Sequence, residues 1–292
     1  MRSGGRLDRS TGLRVSAPSV RRVTSAPATP TIRGLILDLD GVLWRGQQIL
    51  PGVTELFALL EARGVRYSLA SNNATLTFDS VQERLAPLGV RLRPESLVTS
   101  ADAAAGYIRR RYPRPPTTLV IGEAGLRQAL AAAGCTLVDG ADGAAVVVVG
   151  MDRQLSWAKI VEAGLAIGNG AVFLGTNPDR TFPTERGLGP GNGAILAALQ
   201  AATGRAPIIV GKPEPHLFIE AMTRMAIPPG EILVVGDRLE TDIAGGSRAG
   251  MRTALLLTGA TRAADLPGAA TPPDWTFEDL PALLARLPAW LP

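Results

Sequence analysis

The stretch Leu35-Ile36-Leu37-Asp38-Leu39-Asp40-Gly41 is an apolar run that ends in two carboxylates separated by one residue. Side chains two residues apart on a strand point to the same face, so Asp38 and Asp40 are expected to project together. In open α/β sheets, ligands bind beyond the carboxyl ends of the strands, which is where these acids would lie. Paired carboxylates can bind Mg²⁺ and can divide nucleophile and acid roles, whereas an Asp-Gly turn is the plainer alternative.

Around this stretch, short apolar runs alternate with helix-length amphipathic segments, which is typical of βαβ units and a mostly parallel sheet. We predict an α/β fold with strands at 34–39, 65–70, 96–99, 118–121, 145–149, 171–175, 208–210, 232–235 and 253–257. Helices are predicted at 54–63, 80–88, 101–111, 124–133, 156–167, 194–203, 216–225 and 242–249. Prolines at Pro113, Pro115 and Pro116 break the pattern, and 204–207 breaks it again. We therefore predict a discontinuous core, 32–112 and 207–292, interrupted by an inserted domain at 113–206.

Composition excludes several classes of protein. Hydrophobic residues make up 46% of the 292 residues, yet apolar runs such as 144–149 are far shorter than a membrane span of ~20 residues. One cysteine and one histidine exclude a disulfide framework and a multi-histidine zinc site. Aromatic residues, at 4%, are too sparse for a surface that stacks single-stranded nucleic acid. We expect a soluble, cytoplasmic protein whose partners include neither nucleic acid nor a membrane.

The net charge of +4 is concentrated at the start of the chain. Residues 1–31 hold six arginines and one aspartate, a net charge of +5, so the remaining chain carries −1. A DNA-binding surface needs clustered cations on the folded part, which this distribution does not supply. The segment lacks the apolar run of a secretory signal, and we predict a disordered basic tail. A transit peptide or an over-extended start site would have the same composition.

Two further segments place phosphate-binding groups after the first motif. Ser71-Asn72-Asn73 follows the predicted strand 65–70 and offers a hydroxyl, amides and backbone N–H groups, although helix capping explains the same residues. Lys212 lies in Gly211-Lys212-Pro213 and is one of only two lysines. A compact ammonium suits a point contact to phosphate, whereas a solvated surface lysine is the plainer alternative.

The last motif is a second acidic strand end. Asp237 follows the apolar run 232–235 and could complete a magnesium site. Asp242 lies five residues further on. There it could cap the next helix, and it could orient Lys212 without contacting the ligand itself.

In this order, the motifs resemble those of the haloacid dehalogenase superfamily. Motif I is Asp38-Leu39-Asp40-Gly41, motif II is Ser71, motif III is Lys212, and motif IV runs from Gly236-Asp237 to Asp242. The chain looks most like the type IIA branch, which contains 4-nitrophenyl, phosphoglycolate, pyridoxal-phosphate and nucleotide phosphatases, and the resemblance covers about 32–280. It implies a Rossmann-like core, a C2-type cap between motifs II and III, and Mg²⁺-dependent hydrolysis of small phosphate monoesters.

The resemblance also implies a role for each residue. Asp38 would be the nucleophile that forms an aspartyl-phosphate, and Asp40 would protonate the leaving oxygen and later activate water. Mg²⁺ would be held by Asp38, the backbone carbonyl of Asp40, and Asp237. The transferring group would be bound by Ser71, Asn72, Asn73 and Lys212, with Asp242 behind Lys212. Phosphoryl transfer asks mainly for positioning and charge neutralisation, which these groups can supply.

In type IIA proteins, the cap segment that corresponds to 177–184 faces the site. Asn177, Asp179, Arg180 and Phe182 are therefore expected to select the substrate, although Asn-Pro-Asp also favours a turn. We predict that the glycines between 187 and 193 form a turn and a helix entry. Trp44 belongs either to a mobile flap or to the packed core. Members of the branch often pair through their caps, so we also expect a homodimer.

Two alternatives stay open on the same core. A phosphotransferase or mutase would deliver the phosphoryl group to an acceptor other than water. A signalling module would retain phosphate on aspartate, but it would need neither the acid Asp40 nor a cap.

Overall fold

The computed structural model describes residues 30–184 and 186–292, which form two parallel β-sheets and two short hairpins. Residues 1–29 of the predicted basic tail lie outside the described residues. The strands are β1 (Gly34–Leu37), β2 (Trp44–Arg45), β3 (Gln48–Ile49), β4 (Arg66–Ser71), β5 (Leu97–Thr99), β6 (Thr117–Ile121), β7 (Thr136–Val138), β8 (Val146–Val149), β9 (Val172–Gly175), β10 (Thr181–Thr184), β11 (Gly187–Pro190), β12 (Ile208–Ile209), β13 (Ile232–Gly236), β14 (Arg252–Leu256) and β15 (Trp275–Phe277). The α-helices are α1 (Val53–Ala62), α2 (Phe78–Leu85), α3 (Ser100–Arg111), α4 (Ala124–Ala132), α5 (Trp157–Gly168), α6 (Asn192–Thr203), α7 (His216–Met225), α8 (Ala244–Arg248) and α9 (Leu280–Leu284).

The first sheet has the strand order β15-β14-β13-β1-β4-β5, and every pairing in it is parallel. This confirms the predicted α/β fold with a parallel, Rossmann-like core. The chain moves outward from β1 through β4 to β5 on one side, and from β13 through β14 to β15 on the other. The order therefore reverses between β1 and β13, and such a reversal opens a crevice at the carboxyl ends of the strands.

The apolar run at the start of the first motif is buried on both faces of the sheet. Leu35 and Leu37 belong to one core cluster and Ile36 to another, because alternate side chains of a strand point to opposite faces. All four residues of β1 and all five of β13 are buried. A strand covered on both faces is expected to be continuously apolar, which explains why the first motif begins as it does.

The second sheet has the order β12-β9-β8-β6-β7 and is also wholly parallel. One apolar cluster runs without interruption from Ile36 and Val98 of the first sheet to Val148 and Leu174 of the second. The alanine-rich helix α3 belongs to this cluster and connects the sheets. The last strand of the second sheet, β12, lies just beyond residue 206, where the sequence analysis ended the inserted domain. We propose that this sheet is the cap, and the exact boundaries stay a prediction.

A buried ion-pair cluster fixes the helix that follows Lys212. Glu220 on α7 is only 4% exposed, and its carboxylate pairs with Arg109 and Arg110 of α3 and with Arg224 of its own helix. A buried carboxylate is tolerated only with such partners. The cluster therefore ties α7, and the loop before it, to α3.

Several short elements were not predicted. Each strand of the hairpin β2–β3 has two residues, and each strand of the hairpin β10–β11 has four. The strands β7 and β15 have three residues each. Runs this short carry too little periodicity to be recognised. In place of the single helix predicted at 242–249, the structure has a π-helix, Leu239–Ile243, followed by the short helix α8. Within the described residues, no helix combines the length and apolar character that a membrane crossing requires.

Candidate active site

A cavity of about 630 Å³ lies at the carboxyl ends of the first sheet's central strands, between that sheet and the second. It brings together every residue that the sequence analysis assigned to the site, although those residues span more than two hundred positions. They are Asp38, Asp40, Ser71, Asn72, Asn73, Asn177, Asp179, Arg180, Lys212, Asp237 and Asp242. Their proximity is a property of the structure, whereas their chemical roles stay predictions.

The ammonium of Lys212 lies at the centre of the polar cluster. Its Nζ donates to Asp38 Oδ1 at 2.5 Å, to Asp242 Oδ1 at 2.6 Å and to the carbonyl oxygen of Ala70 at 3.1 Å. An ammonium has three donors, and all three are used here. Because Lys212 is only 3% exposed, these partners replace the water that burial has removed.

Burial and mutual repulsion shift the acids of the cluster towards their protonated forms. Burial raises the pKa of Asp38 to about 8; Lys212 opposes the rise, while Asp242 and Asp237 add to it. Burial likewise raises the pKa of Asp237 to about 6, with Asp242 adding to the rise. Burial alone would lower the pKa of Lys212, but Asp242 and Asp38 outweigh burial and leave it above its ordinary value. Three carboxylates thus face one ammonium, and the site has an excess of negative charge.

A divalent cation fits this arrangement. Ligand oxygens of Asp38, Asp237 and Asp242 lie within 4.8 Å of one another. Asp237 Oδ2 accepts from the backbone N–H of Ala260 at 2.6 Å, but its buried Oδ1 has no hydrogen-bond partner among the described residues. An orphaned carboxylate oxygen is costly unless something else neutralises it. Both carboxylate oxygens of Asp242 are already used, Oδ1 by Lys212 and Oδ2 by the backbone N–H of Arg238. We therefore propose Asp38 and Asp237 as the side-chain ligands of Mg²⁺, with the backbone carbonyl of Asp40.

Backbone packs directly against Asp237. A Cβ on Gly259 would lie 1.8 Å from Asp237 Oδ2, and one on Gly41 would lie 2.6 Å from the same carboxyl group. Gly41 also has a φ of +82°, a backbone conformation that side-chain-bearing residues rarely adopt. The glycine of the first motif is therefore required both by its turn and by the space that Asp237 occupies.

Asn72 joins the phosphate-binding loop to the lysine loop and to the second sheet. Its side chain accepts from the Lys212 backbone N–H at 2.7 Å and donates to the Lys212 carbonyl at 3.0 Å. Its own carbonyl accepts from Ser100 Oγ at 2.6 Å and from Asn177 Nδ2 at 2.9 Å. In the same loop, Ser71 Oγ accepts from the backbone N–H of Asn73 at 3.1 Å. These hydrogen bonds tie the loop to Lys212, Ser100 and Asn177.

The cap side of the cavity is formed by the segment that the sequence analysis singled out. Asn177 Oδ1 accepts from the backbone N–H of Asp179 at 3.1 Å, which gives the expected Asn-Pro-Asp turn. Burial raises the pKa of Asp179, while Arg238 and Lys212 oppose the rise. Arg180 and Phe182 line the cavity beside it. Among the glycines after Phe182, Gly187 and Gly189 lie in the strand β11, which pairs with β10, and not in the predicted turn. Gly191 and Gly193 form the entry to α6 that the sequence predicted.

Sequence reasoning missed several residues of the site. Gly259 and Ala260 follow β14, and the strand-end argument applied to Asp38 would have pointed to them, although neither has a reactive side chain. Asn192 carried no predicted role, yet it is 2% exposed and donates to the carbonyl of Asn177 at 2.8 Å. Trp44 was assigned to packing or to a flap; it is buried in the core cluster, and its Nε1 donates to Asp40 Oδ1 at 3.1 Å.

The raised acid pKa values predict how the site responds to metal and pH. The pKa values of Asp38, about 8, and Asp237, about 6, exceed the ordinary value of 3.8, so the metal-free fold binds more protons than the unfolded chain between those limits. Its stability should therefore fall as pH rises through this window, and Mg²⁺ should reverse the loss by replacing the protons. We expect the Mg²⁺ dissociation constant, measured by thermal-shift titration, to be at least about tenfold weaker at pH 5 than at pH 8.

The matched control is Asp237→Asn, which removes a proposed ligand and should abolish the Mg²⁺-dependent shift at both pH values. An equal Mg²⁺ affinity at pH 5 and pH 8 would contradict the proposed ligands.

Comparison with known proteins agrees with this geometry. The family model described as haloacid dehalogenase-like hydrolase matches residues 35–136, and a second, HAD-hydrolase-like model matches residues 209–283. The unmatched stretch between them contains the strands β8 and β9 of the second sheet. An acid sugar phosphatase of Staphylococcus aureus is 35% identical over 255 residues, which are 87% of this chain and 98% of that protein.

Solved structures show the same likeness. A hypothetical protein from Pyrococcus horikoshii aligns with a TM-score of 0.82 at 37% identity, over 88% of this chain and all of that one. A glycerol phosphate phosphatase from Mycobacterium tuberculosis, crystallised with magnesium, aligns with a TM-score of 0.79 at 37% identity, over 86% of this chain and 76% of that one. A 4-nitrophenylphosphatase from Thermotoga maritima aligns with a TM-score of 0.80 at 31% identity, over 88% of this chain and 97% of that one. The chain belongs to the haloacid dehalogenase-like hydrolases, in their type IIA branch.

Proposed function

We propose that the protein is a Mg²⁺-dependent phosphatase that hydrolyses small phosphate monoesters through an aspartyl-phosphate on Asp38. The observation that carries the proposal is the position of Lys212, whose ammonium contacts Asp38 and Asp242, beside the orphaned oxygen of Asp237. This arrangement offers a nucleophile, a cation for the phosphoryl oxygens and ligands for a metal in one cavity. Phosphatase relatives over nearly the whole folded chain support the same activity.

In the first half of the reaction, a carboxylate oxygen of Asp38 attacks phosphorus and the bond from phosphorus to the ester oxygen breaks. Asp40 donates its proton to the departing oxygen, so an alcohol leaves rather than an alkoxide. Asp38 then carries the phosphoryl group as an acyl phosphate. Covalent capture divides one displacement into two steps with lower barriers.

In the second half, a water molecule attacks the phosphorus of the acyl phosphate. Asp40, now a carboxylate, accepts a proton from that water, and the bond between Asp38 and phosphorus breaks. Inorganic phosphate leaves, and both acids return to their starting states. Asp40 is therefore acid and base in turn.

Neutralisation of charge is the remaining requirement. The ammonium of Lys212, with the Ser71-Asn72-Asn73 loop, is placed to bind the phosphoryl oxygens, and bound Mg²⁺ would add positive charge between Asp38 and Asp237. Asp242 holds Lys212 at its correct position through the 2.6 Å contact. Preorganised charges of this kind usually supply the largest part of such catalysis.

We infer that the substrate is a small phosphorylated metabolite selected by the cap. A cavity of about 630 Å³ suits a ligand of metabolite size. Relatives that act on sugar phosphates, glycerol phosphate and 4-nitrophenyl phosphate support this class. Asn177, Asp179, Arg180 and Phe182 line its cap side, and we propose that they contact the part of the ester beyond phosphorus.

We also propose that two copies pair through the second sheet's helix α5. Trp157, Val161 and Leu165 recur every four residues on this helix and are 80%, 37% and 53% exposed. Residues spaced in this way lie on one face, and a contiguous exposed apolar face marks an interaction surface. A cytoplasmic location is proposed as well; the single cysteine, Cys135, is buried and free, which suits a reducing compartment.

Replacing Asp38 tests the activity itself. Asp38→Asn removes the nucleophile, and we expect Mg²⁺-dependent hydrolysis of 4-nitrophenyl phosphate to fall by at least about 10³-fold. Asp139→Asn is the matched control, because Asp139 lies just after β7, far along the chain from the site motifs, and its side chain is 90% exposed. A near wild-type rate for Asp38→Asn would overturn the proposal, and phosphate found on an added alcohol or sugar would favour the phosphotransferase.

Replacing Arg180 tests the role of the cap. If its guanidinium contacts an anionic or hydroxylated substrate tail, Arg180→Ala should lower kcat/KM for the esters that the wild type prefers by about tenfold or more. The rates are measured across phosphoglycolate, sugar phosphates, nucleotides and pyridoxal phosphate. Arg205→Ala, also on the cap surface, is the control. An unchanged ranking of substrates would remove Arg180 from the recognition site.

Replacing Trp157 tests the pairing. Sedimentation of the wild type should show a dimer, and Trp157→Glu should shift it to a monomer because a charge enters the apolar contact. Gln200→Glu adds the same charge to the exposed side of α6 and should leave the dimer intact. A monomeric wild type, or a dimer that survives Trp157→Glu, would contradict pairing through α5.

A further inference from the structure

One oxygen of the Asp40 carboxyl group is already occupied. The indole Nε1 of Trp44 donates to Asp40 Oδ1 at 3.1 Å, and Trp44 is only 3% exposed whereas Asp40 opens onto the cavity. The backbone reinforces the pair, since the Gly41 N–H donates to the Trp44 carbonyl at 2.7 Å. A buried indole that is bound to a cavity-facing acid restricts how that acid can turn.

The Trp44 ring is itself held from the other side by α2. The guanidinium carbon of Arg84 lies 4.1 Å from the ring centroid, which is a cation–π contact. Arg84 also donates to the carbonyl of Gly46, in the turn between β2 and β3. One arginine therefore clamps both the indole and the turn of the hairpin that carries it.

The hairpin is attached to the core on a second side. Arg45 donates to the carbonyl of Thr258, and Thr258 Oγ1 donates to the carbonyl of Gly41 at 2.5 Å. Thr258 precedes Gly259, which packs against Asp237. The position of Trp44 is thus fixed relative to both the acid and the proposed metal ligand.

We propose, on the basis of the proposed function, that Trp44 is a positioning residue that orients Asp40 for proton transfer, with Arg84 holding the indole in place. An indole nitrogen donates a hydrogen bond but cannot accept one. Asp40 Oδ1 is therefore kept as an acceptor, and the transferred proton is carried by Oδ2. Without the indole, the carboxyl group can rotate and present either oxygen.

If Trp44 orients Asp40, the effect of losing Trp44 should depend on how basic the leaving group is. An alkoxide is a strong base and cannot depart without the proton from Asp40, whereas 4-nitrophenolate departs readily without it. Misplacing Asp40 should therefore impair alkyl esters far more than aryl esters. The parameter to compare is kcat/KM, because it reports the steps up to release of the leaving group, before the shared hydrolysis of the aspartyl-phosphate.

The test is Trp44→Phe, which keeps the aromatic ring and removes the N–H donor. We expect the ratio of kcat/KM for glycerol phosphate to that for 4-nitrophenyl phosphate to fall by about tenfold or more, within the 10²–10⁴-fold that a general acid typically contributes. Arg84→Met should shift the ratio in the same direction by a smaller factor. Trp275→Phe is the matched control, since Trp275 packs against the same core cluster away from Asp40.

A double variant separates positioning from loss of stability. Asp40→Asn with Trp44→Phe should give the same ratio as Asp40→Asn alone, because the indole acts only through the acid. A ratio for Trp44→Phe within twofold of wild type, or an equal shift in Trp275→Phe, would overturn the inference. If Asp38→Asn loses activity while Trp44→Phe leaves the ratio of kcat/KM values unchanged, the proposed phosphatase activity is supported and only the role of Trp44 is contradicted.

Discussion

The site depends on the buried ion pairs that the ammonium of Lys212 makes with Asp38 and Asp242. Taking one positive and several negative charges out of water is costly, and the cluster is tolerable only because each contact is short and each ammonium donor is used. Burial raises the pKa of Asp38 and of Asp237, and repulsion among the three carboxylates, which outnumber the single ammonium, adds to the rise. This excess of negative charge favours the binding of a divalent cation at the proposed ligands.

The topology of the sheet is what brings these charges together. Asp38 follows β1 and Asp237 follows β13, and the two strands are hydrogen-bonded neighbours at the point where the strand order reverses. Hydrophobic burial of these two strands on both faces therefore positions acids that lie some two hundred residues apart. Asn72 then links the third strand end to the lysine loop and to Asn177. The apolar core and the catalytic geometry have a common origin.

The sequence predicted the parallel core and the strand-end residues of the cavity because both depend on local patterns: apolar runs for strands, and polar groups at their ends. The cap residues at 177–182 were expected only from the resemblance to type IIA proteins. It could not predict the hairpin β2–β3, whose two-residue strands have no periodicity of their own. The hydrogen bond from Trp44 and the clamp by Arg84 were missed for a related reason. An aromatic residue beside a motif looks the same in sequence whether it only packs or also binds, and the difference lies in which tertiary neighbour its N–H meets. The close approach of Gly259 to Asp237 is likewise a three-dimensional constraint that no local pattern reveals.

The proposed mechanism requires Asp38 to carry the phosphoryl group during turnover. The most direct measurement is rapid acid quenching of the wild-type enzyme during turnover of 4-nitrophenyl phosphate with Mg²⁺, followed by peptide mass spectrometry. Acid preserves acyl phosphates, so we expect one added phosphoryl mass on the peptide that contains Asp38, located at that residue by fragmentation. A phosphoryl group at another residue, or an unmodified Asp38 under conditions in which a burst of 4-nitrophenolate shows that a covalent intermediate accumulates, would contradict it.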